Sequence, residues 1–290
     1  MESKVQVELN PTYKVDGVSR PLEILPWLRE VDEISVVANS DLPPLSISIN
    51  NRVVAVVDPF DEPGMNSPWD ESSTLERVRE LQPVIIFKYQ WRRGVEYPPG
   101  TISAGYPCLK DVDRPPDLLT RSRPIAIAAR MRVNYDYHWA AHTQWMRARS
   151  RIVSQARLLK QLGHNTRFGL TEAGEYTSEL WDTQIGFEWC GNGYLTHRLI
   201  EYIRAGVVPL TRPLGKEWPI REDVTLEDGV HCVFCPDPFS FAQEASRLLL
   251  DTGKIARIRR NLVKLWEDKL CPKAQGHWIW SKLKQALNQT

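Results

Sequence analysis

Apolar-rich runs alternate with amphipathic stretches along most of this chain. Buried strands are predicted for the runs at 34–38, 53–57, 84–87, 124–129 and 185–189, because strands covered on both faces show few polar positions. Helices are predicted where apolar residues recur three and four positions apart, at 73–81, 139–162, 196–205, 240–250 and 255–269. Strands that alternate with helices are typical of an α/β fold with parallel strand pairs.

The chain divides at a segment rich in proline and charge. Residues 111–123 contain Pro115 and Pro116 among many charged side chains, a composition typical of a linker. Before this segment, residues 45–57 predict two strands that form a hairpin around Asn50 and Asn51. We therefore expect two domains, 1–118 and 119–290.

One stretch contains a complete strand–turn–helix–strand unit. A strand at 185–189 is followed by a glycine-rich turn at 191–193, and the helix at 196–205 ends at Gly206, a typical C′ residue. A helix N-terminus carries unpaired N–H groups and a partial positive charge. The glycine-rich turn in front of this helix therefore favours a phosphate ligand, because glycine lets a phosphate come close to the backbone.

Two charged side chains flank the predicted helix N-terminus. Arg198 and Glu201 lie three residues apart, so that they share one side of the helix. The guanidinium is suited to a phosphate, and the carboxylate is suited to two hydroxyl groups of a ribose. The same spacing also fits an ordinary turn followed by a surface ion pair, and the pattern alone leaves both interpretations open.

The order of residues in this unit resembles the donor half of the GT-B glycosyltransferases. Gly-x-Gly is followed by Thr-x-Arg-x-x-Glu and then by Ala-Gly-Val-Val-Pro, over 191–209. The exostosin-type families are the most similar, and the C-terminal halves of fucosyltransferases are somewhat less so. The resemblance extends over roughly 124–271. It implies two Rossmann-like lobes that face a cleft, with a C-terminal helix that returns to the first lobe.

The resemblance also implies which residues bind a nucleotide-sugar donor. They are Gly191, Asn192, Gly193, Tyr194, Thr196, Arg198 and Glu201, with Arg130 or Arg132 as a cation in the loop after the strand at 124–129. Bidentate contacts between arginine and phosphate are strong and geometrically selective. The E-x7-E pattern of many retaining members is absent, since Glu188 precedes Glu201 by thirteen residues. The stereochemical outcome is therefore open.

Candidate catalytic residues follow the strands of the first half. Asp58 and Asp61 come after the strand at 53–57, at a carboxyl end where α/β folds place their sites. One of them is our first candidate for the base that deprotonates an acceptor hydroxyl, and His138 is the second. Lys88 ends the strand at 84–87, either as a cation in the cleft near donor or acceptor, or as a lysine that extends to solvent.

Three further patterns have ordinary interpretations. On the helix at 139–162, Arg149, Arg157 and Lys160 line one face, which we interpret as solvated because the chain shows no matching basic excess elsewhere. The segment 240–243 matches a capping box at the start of a helix. His138 and His142 lack the intervening glutamate of a zinc-binding motif, so no metal site is expected.

Composition and charge exclude some of the classes of protein to which this chain could belong. The chain has 290 residues, of which 42% are hydrophobic, so a sizeable core is available. A formal net charge of +1 and a pI near 7.7 give no general attraction to nucleic acid or to an anionic membrane. Five cysteines without a paired zinc pattern indicate free thiols in a reducing compartment. With no apolar run of transmembrane length and no signal-peptide pattern, we expect a soluble, cytoplasmic protein.

These observations lead to one expected function and several alternatives. We expect a glycosyltransferase that moves a sugar from a nucleotide-diphosphate donor to a hydroxyl of a glycan or another acceptor, without a metal or a cofactor. A non-catalytic relative that binds nucleotide-sugars or carbohydrate is one alternative, and a nucleotide-sugar epimerase on the same architecture is another. A nucleic-acid-binding protein is a more remote alternative, given the balanced charge.

Overall fold

The computed structural model describes residues 4–15, 18–21, 24–59, 74–105, 114–131, 133, 140–190, 195–214 and 217–288. Within these residues the chain is α/β, as the sequence pattern predicts, and it divides into two compact units. The first unit contains Met1–Leu109, Glu217–Val224 and Lys269–Thr290. The second unit contains Lys110–Lys216 and Thr225–Asp268.

The described elements comprise strands and helices that alternate over much of the chain. The strands are β1 (Val5–Leu9), β2 (Thr12–Val15), β3 (Val18–Pro21), β4 (Ile34–Ala38), β5 (Ser46–Ile49), β6 (Arg52–Asp58), β7 (Ile85–Lys88), β8 (Thr101–Ser103), β9 (Ile125–Ala129), β10 (Thr166–Phe168), β11 (Thr183–Phe187), β12 (Val208–Thr211) and β13 (Val233–Phe234). The helices are α1 (Ile24–Arg29), α2 (Thr74–Leu81), α3 (Ala140–Gln161), α4 (Ala173–Trp181), α5 (His197–Ala205), α6 (Phe241–Leu250), α7 (Thr252–Leu265) and α8 (Pro272–Asn288). A π-helical turn, Trp266–Leu270, follows α7.

The compact units differ from the predicted domains 1–118 and 119–290. Two later segments, Glu217–Val224 and Lys269–Thr290, belong to the first unit, so that the chain returns twice to the unit in which it begins. The last helix, α8, lies in the second of these segments and therefore belongs to the first unit. A C-terminal helix that returns to the first lobe is what the GT-B resemblance implies.

The sheet of the first unit is mixed, with the order β4-β1-β5-β6-β7-β8. Strands β5 and β6 are antiparallel, whereas β6, β7 and β8 run parallel to one another. The predicted hairpin lies between β5 and β6, where Asn50 and Asn51 have φ values of 53° and 61°. Positive φ at both positions is what a two-residue hairpin turn of the primed type requires, and asparagine tolerates it.

Helix α8 completes the core of the first unit. Its apolar side chains Ile279, Trp280 and Leu283 are buried in the same cluster as the strands of the first sheet. Gly276 lies where α8 meets α1, and a Cβ at this position would be 2.0 Å from the carbonyl oxygen of Trp27. Only a residue without a side chain allows the two backbones to approach so closely.

The second unit has a fully parallel sheet with the order β10-β9-β11-β12-β13. In chain order this is 2-1-3-4-5, the strand order of flavodoxin-like doubly wound folds. The chain reverses its direction of winding between β9 and β11, and this position is the topological switch point. In open α/β sheets, ligands bind outside the carboxyl ends of the strands at such a point.

Local features at the helix ends agree with the sequence in some places and differ in others. Gly206 adopts the left-handed conformation (φ 62°) at the end of α5, as predicted for a C′ residue. The capping box predicted at 240–243 is not formed, because the Ser240 hydroxyl donates to the Asp237 carbonyl at 2.8 Å. The Asp237 carboxylate accepts from the Phe239 and Ser240 amides, which precede the first residue of α6.

Two observations concern cysteines and membranes. Cys190, Cys232, Cys235 and Cys271, which lie within the described residues, are free thiols. None of the helices that the structure describes is both long enough and apolar enough to span a bilayer.

Replacing Gly276 by alanine tests the close approach of α8 to α1. The added Cβ would collide with the Trp27 carbonyl oxygen, a backbone atom that cannot move without its helix. We expect the free energy of unfolding to fall by about 2 kcal/mol or more, as in over-packed cores, measured by urea denaturation. Gly174→Ala in α4 is the matched control, since nothing lies within 4 Å of its added Cβ. A similar loss in both variants would contradict the close approach.

Candidate functional site

The carboxyl ends of β9 and β11 are held together by one tyrosine. The hydroxyl of Tyr202, on α5, lies 3.4 Å from the Ala128 carbonyl oxygen and 3.3 Å from that of Phe187. Gly186 makes room for the ring, since a Cβ there would lie 2.4 Å from ring atoms of Tyr202. The sequence thus places α5 tightly against the switch point of the second sheet.

A buried carboxylate connects the end of β11 to the start of α5. Glu188, which follows β11, is 2% exposed and accepts hydrogen bonds from the Thr196 hydroxyl at 2.7 Å and from Arg198 Nη1 at 3.0 Å. Thr196 also caps α5, because its side-chain oxygen accepts from the Leu199 amide at 3.2 Å. Burial by itself would lower the pKa of Arg198, but the facing Glu188 carboxylate raises it above its ordinary value. Arg198 is therefore fully charged and fixed in place.

More positive than negative charge surrounds this carboxylate. Arg149, on α3, is 7% exposed and donates through Nε to the Cys190 carbonyl at 2.9 Å. Burial, followed by the charge of Arg198, lowers the pKa of Arg149. Burial raises the pKa of the Cys190 thiol to about 11, and the charges of Arg212 and Arg149 act in the opposite direction. Among the described residues, Arg198 and Arg149 thus lie near the Glu188 carboxylate and Arg212 lies near the Cys190 thiol, and this concentration of positive charge favours an anion.

The position of Arg149 corrects one prediction. The sequence places Arg149, Arg157 and Lys160 on one solvated face of a helix. In the structure, Arg149 is buried against the end of β11, whereas the cations of Arg157 and Lys160 both lie 5.5 Å from the centre of the Phe168 ring. Helical periodicity identified the face, but it does not reveal what covers that face.

Glu201 is a second, largely buried carboxylate in the same region. The Tyr176 hydroxyl lies beside it without forming a well-aligned hydrogen bond. Glu201 makes no ion pair within the described part of the chain. Burial raises the pKa of Glu201, although Tyr176 and the charges of Arg204 and Arg198 act in the opposite direction. Burial also raises the pKa of Tyr176 well above its ordinary value.

The structure excludes one of the two interpretations of Arg198 and Glu201. A surface ion pair between them is wrong, because Arg198 pairs with Glu188 and only 15% of its side chain is exposed. Glu201 is left with its charge buried and with no counter-ion in direct contact among the described residues. Such a group is typical of a functional site, since folding alone gains nothing from it.

Arg130 follows β9 as predicted, but its guanidinium has protein partners. It forms a bidentate ion pair with Glu179. Its Nη1 atom donates to the Phe168 carbonyl at 2.9 Å and to the Leu170 carbonyl at 3.4 Å. The hydrogen bonds to Glu179 raise the pKa of Arg130. A phosphate would have to displace Glu179 in order to bind here, so the predicted donor-binding role of Arg130 stays a prediction.

Asp58 and Lys88 lie opposite each other at the ends of β6 and β7 in the first unit. Lys88 Nζ lies 3.1 Å from Asp58 Oδ2, and the two side chains are 0% and 1% exposed. Lys88 therefore neither extends to solvent nor presents its charge to a ligand in this structure. The Asp58 carboxylate is likewise closed off from solvent, so its predicted role as a base requires the pair to open.

Several predicted residues lie outside the part of the chain that the structure describes. They are Asp61, Arg132, His138, Gly191, Asn192, Gly193 and Tyr194. Their roles stay predictions. Among the described residues, no group of three or more histidine, cysteine, aspartate or glutamate side chains is arranged to hold a metal ion.

Comparisons with known proteins give only distant similarity. No family model and no curated protein matches the sequence. Among solved structures, the chain is similar to the pneumococcal O-GlcNAc transferase GtfA in complex with UDP and GlcNAc, with 11% sequence identity and a TM-score of 0.46. That alignment covers 80% of this chain and 52% of the other, so the chain spans about half the length of the pneumococcal protein.

A second similar protein is Alr3699/HepE from Anabaena. Its structure in complex with UDP and glucose aligns at 11% identity, with 79% of this chain and 71% of that chain covered and a TM-score of 0.45. Its structure in complex with UDP-glucose aligns at 10% identity, with 80% and 72% covered and a TM-score of 0.42. At these identities and TM-scores the similarity carries no functional conclusion.

Replacing Lys88 by methionine tests the buried pair in the first unit. The change leaves the Asp58 carboxylate buried without its cation, and we expect a loss of about 3–5 kcal/mol in the free energy of unfolding. The double variant Asp58→Asn with Lys88→Met removes both charges and is expected to recover much of this loss. Urea denaturation measures both quantities.

The exposed pair Lys284–Glu33 provides the control for this cycle. Its charged atoms also lie 3.1 Å apart, but the side chains are 49% and 57% exposed. Lys284→Met is expected to change the stability by less than about 1 kcal/mol. Equal losses for Lys284→Met and Lys88→Met would refute the importance of burial.

Because the charge of Glu201 is buried, replacing it by glutamine is expected to increase the free energy of unfolding by an amount that depends on pH. Its pKa in the folded protein is raised above the ordinary value of 4.5, so folding disfavours the ionised form. The stability of the wild type relative to Glu201→Gln is therefore highest below this value and falls as pH rises through the folded pKa. We expect the variant to gain stability over the wild type as the pH rises from 4.5 through the raised folded pKa, measured by urea denaturation. A difference independent of pH would contradict the raised pKa.

Proposed function

We propose that the second unit binds a nucleotide-diphosphate sugar at the carboxyl ends of β9 and β11, and that the protein is a glycosyltransferase. The sugar passes to a hydroxyl group of a glycan or another acceptor. The observation that carries this proposal is the arginine-rich cluster around Glu188 at the start of α5. The same segment carries the sequence resemblance to exostosin-type donor halves.

The topology of the second sheet supports the location. The 2-1-3-4-5 strand order has its switch point between β9 and β11, and Tyr202 joins the carboxyl ends of these two strands. A crevice outside the carboxyl ends at this point is where doubly wound sheets bind their ligands. Helix α5 begins beside this position, so its N-terminus adds a partial positive charge.

The charges support a diphosphate as the anionic part of the ligand. Arg149, Arg198 and Arg212 outnumber the two carboxylates of this region, Glu188 and Glu201, and the first turn of α5 contains no acidic residue. A diphosphate compensates this surplus, and guanidinium groups recognise phosphate oxygens with good geometry. The same groups stabilise the charge that develops on a departing diphosphate, a task that arginines perform electrostatically without a metal ion.

Glu201 supports the ribose or sugar as the neutral part of the ligand. Its buried carboxylate has lost hydration without gaining an ion pair among the described residues. Two neighbouring hydroxyl groups of a sugar ring donate to such a carboxylate and replace the lost hydrogen bonds. Glu188 and Thr196 serve as positioning residues in this proposal, since they hold Arg198 rather than contact the ligand.

A protein that binds the donor without turnover is the second candidate. The observation that favours it is the burial of Asp58, the first candidate base, against Lys88. Release of a nucleoside diphosphate from a panel of nucleotide-sugars separates the two functions. Release that depends on an added glycan acceptor supports the transferase. Binding of the nucleotide-sugar without any release supports the binding protein.

Replacing Glu201 by glutamine tests the proposed contact with hydroxyl groups. A hydrogen bond to a charged group contributes about 1.5–3 kcal/mol, so the Kd for the preferred nucleoside diphosphate is expected to rise about 10- to 100-fold. Isothermal titration calorimetry with a panel of nucleoside diphosphates measures this change. Glu175→Gln is the control, because Glu175 is an exposed carboxylate on α4. Unchanged affinity in Glu201→Gln would remove Glu201 from the site.

A further inference from the structure

A cavity of about 250 Å³ lies at the amino ends of β9 and β11, at the end of the sheet opposite to the proposed donor site. Its lining includes Ser122 and Arg123, which precede β9, and Gln184, the second residue of β11. Helix α7 contributes Thr252, Ala256 and Arg259. None of the described residues that line the cavity is acidic.

Two guanidinium groups converge beside the cavity. Arg123 Nη2 donates to the Ala205 carbonyl at 2.7 Å, and Arg259 Nε donates to the next carbonyl, that of Gly206, at 3.2 Å. A Cβ on Gly206 would lie 3.6 Å from Arg123 Nη2 and 3.1 Å from Arg259 Cγ. The two cations therefore lie side by side at the C-terminal end of α5, where the helix dipole is negative.

The partial charges of the helix end do not balance two full positive charges. The remaining acceptors of Arg123 are the carbonyls of Thr183 and Leu118, at 2.7 and 3.2 Å, and they carry no net charge. The nearby carboxylate of Asp182 pairs with Arg121 at 3.0 Å. Neither Arg123 nor Arg259 forms an ion pair with a carboxylate among the described residues.

Unused donors and the pKa of Arg123 agree with this imbalance. Arg123 Nε and Arg259 Nη2 are buried and have no acceptor within the described part of the chain. Arg123 is 5% exposed. Burial, followed by the charges of Arg259 and Arg121, lowers the pKa of Arg123 to about 9. A buried cation with this environment is completed by an anion.

We propose that this cavity binds a phosphate group between Arg123 and Arg259, with the hydroxyls of Ser122 and Thr252 as further donors. The cavity volume equals that of about eight water molecules, which is enough for inorganic phosphate or for a small phosphomonoester. The amide of Gln184 donates to the Arg123 carbonyl at 2.9 Å and so stiffens one wall. This site is separate from the proposed donor site and does not depend on it.

Titration of the full chain with inorganic phosphate tests the proposal. Ionic strength is held constant with chloride, and binding is followed by calorimetry and by the thermal unfolding temperature. We expect saturable binding and a higher unfolding temperature with phosphate. Arg259→Gln is expected to raise the Kd at least tenfold, whereas Arg260→Gln, a change of an exposed arginine on the same helix, leaves it unchanged.

A second variant separates ligand binding from helix capping. Arg259→Gln also removes the hydrogen bond to Gly206, so the unfolding temperature of this variant is not decisive by itself. Ala256→Glu places a carboxylate in the cavity three residues before Arg259 and supplies an internal counter-ion. We expect Ala256→Glu to abolish phosphate binding without lowering the unfolding temperature measured in chloride alone.

Three outcomes would overturn the proposal. The first is the absence of saturable phosphate binding by the wild type, and the second is equal affinity in the wild type and Arg259→Gln. The third is binding that is lost in Arg198→Gln but kept in Arg259→Gln, since this result assigns the phosphate to the start of α5. Comparison with glycerol 3-phosphate identifies the source of the group: tighter binding than inorganic phosphate supports a phosphomonoester, and weaker binding supports the free ion.

Discussion

The second unit depends on the pairing of one buried carboxylate, that of Glu188. A charge that is 2% exposed is tolerated only with direct partners, and the Thr196 hydroxyl and Arg198 supply them. The pairing fixes the start of α5 against the end of β11. It also turns Arg198 away from Glu201, so that Glu201 has no ion pair within the described residues. One interaction thus fixes Arg198 in place and leaves Glu201 as the unsatisfied carboxylate on which the proposed donor site depends.

Charge is distributed unevenly in a protein that is nearly neutral overall. The formal net charge is +1, yet arginines concentrate at both ends of the second sheet. At the carboxyl end they surround Glu188, and at the amino end Arg123 and Arg259 share the carbonyls that end α5. The first unit balances its buried charges locally, because Asp58 and Lys88 pair directly. The net charge therefore argues against a broad basic surface that attracts polyanions such as nucleic acid. It gives no information on sites that bind a single anion.

The helix beside the candidate site was predicted where its signals are local in sequence. Gly206 as the residue that ends α5 follows from residues within one helical turn, and the structure contains it. The contacts of Arg149 and Arg130 were not predicted, because the residues that they contact are distant in sequence. Arg149 contacts a carbonyl 41 residues away, and Arg130 pairs with a carboxylate 49 residues away. No local pattern encodes such a contact. The role of Glu188 was missed although its partners are only eight and ten residues away, because they lie beyond the three- and four-residue spacing that helical periodicity relates.

The sequence by itself determined the α/β class, most of the strands and helices, and the hairpin at Asn50 and Asn51, since periodicity and turn residues act over a few positions. Only the tertiary structure decided which charges are paired and which strands are neighbours. It also decided that 217–224 and 269–290 belong to the first unit, because α8 contributes apolar side chains to that unit's core. Burial and ion pairing are properties of surfaces that meet after folding, and the residues of these surfaces are separated by long stretches of chain.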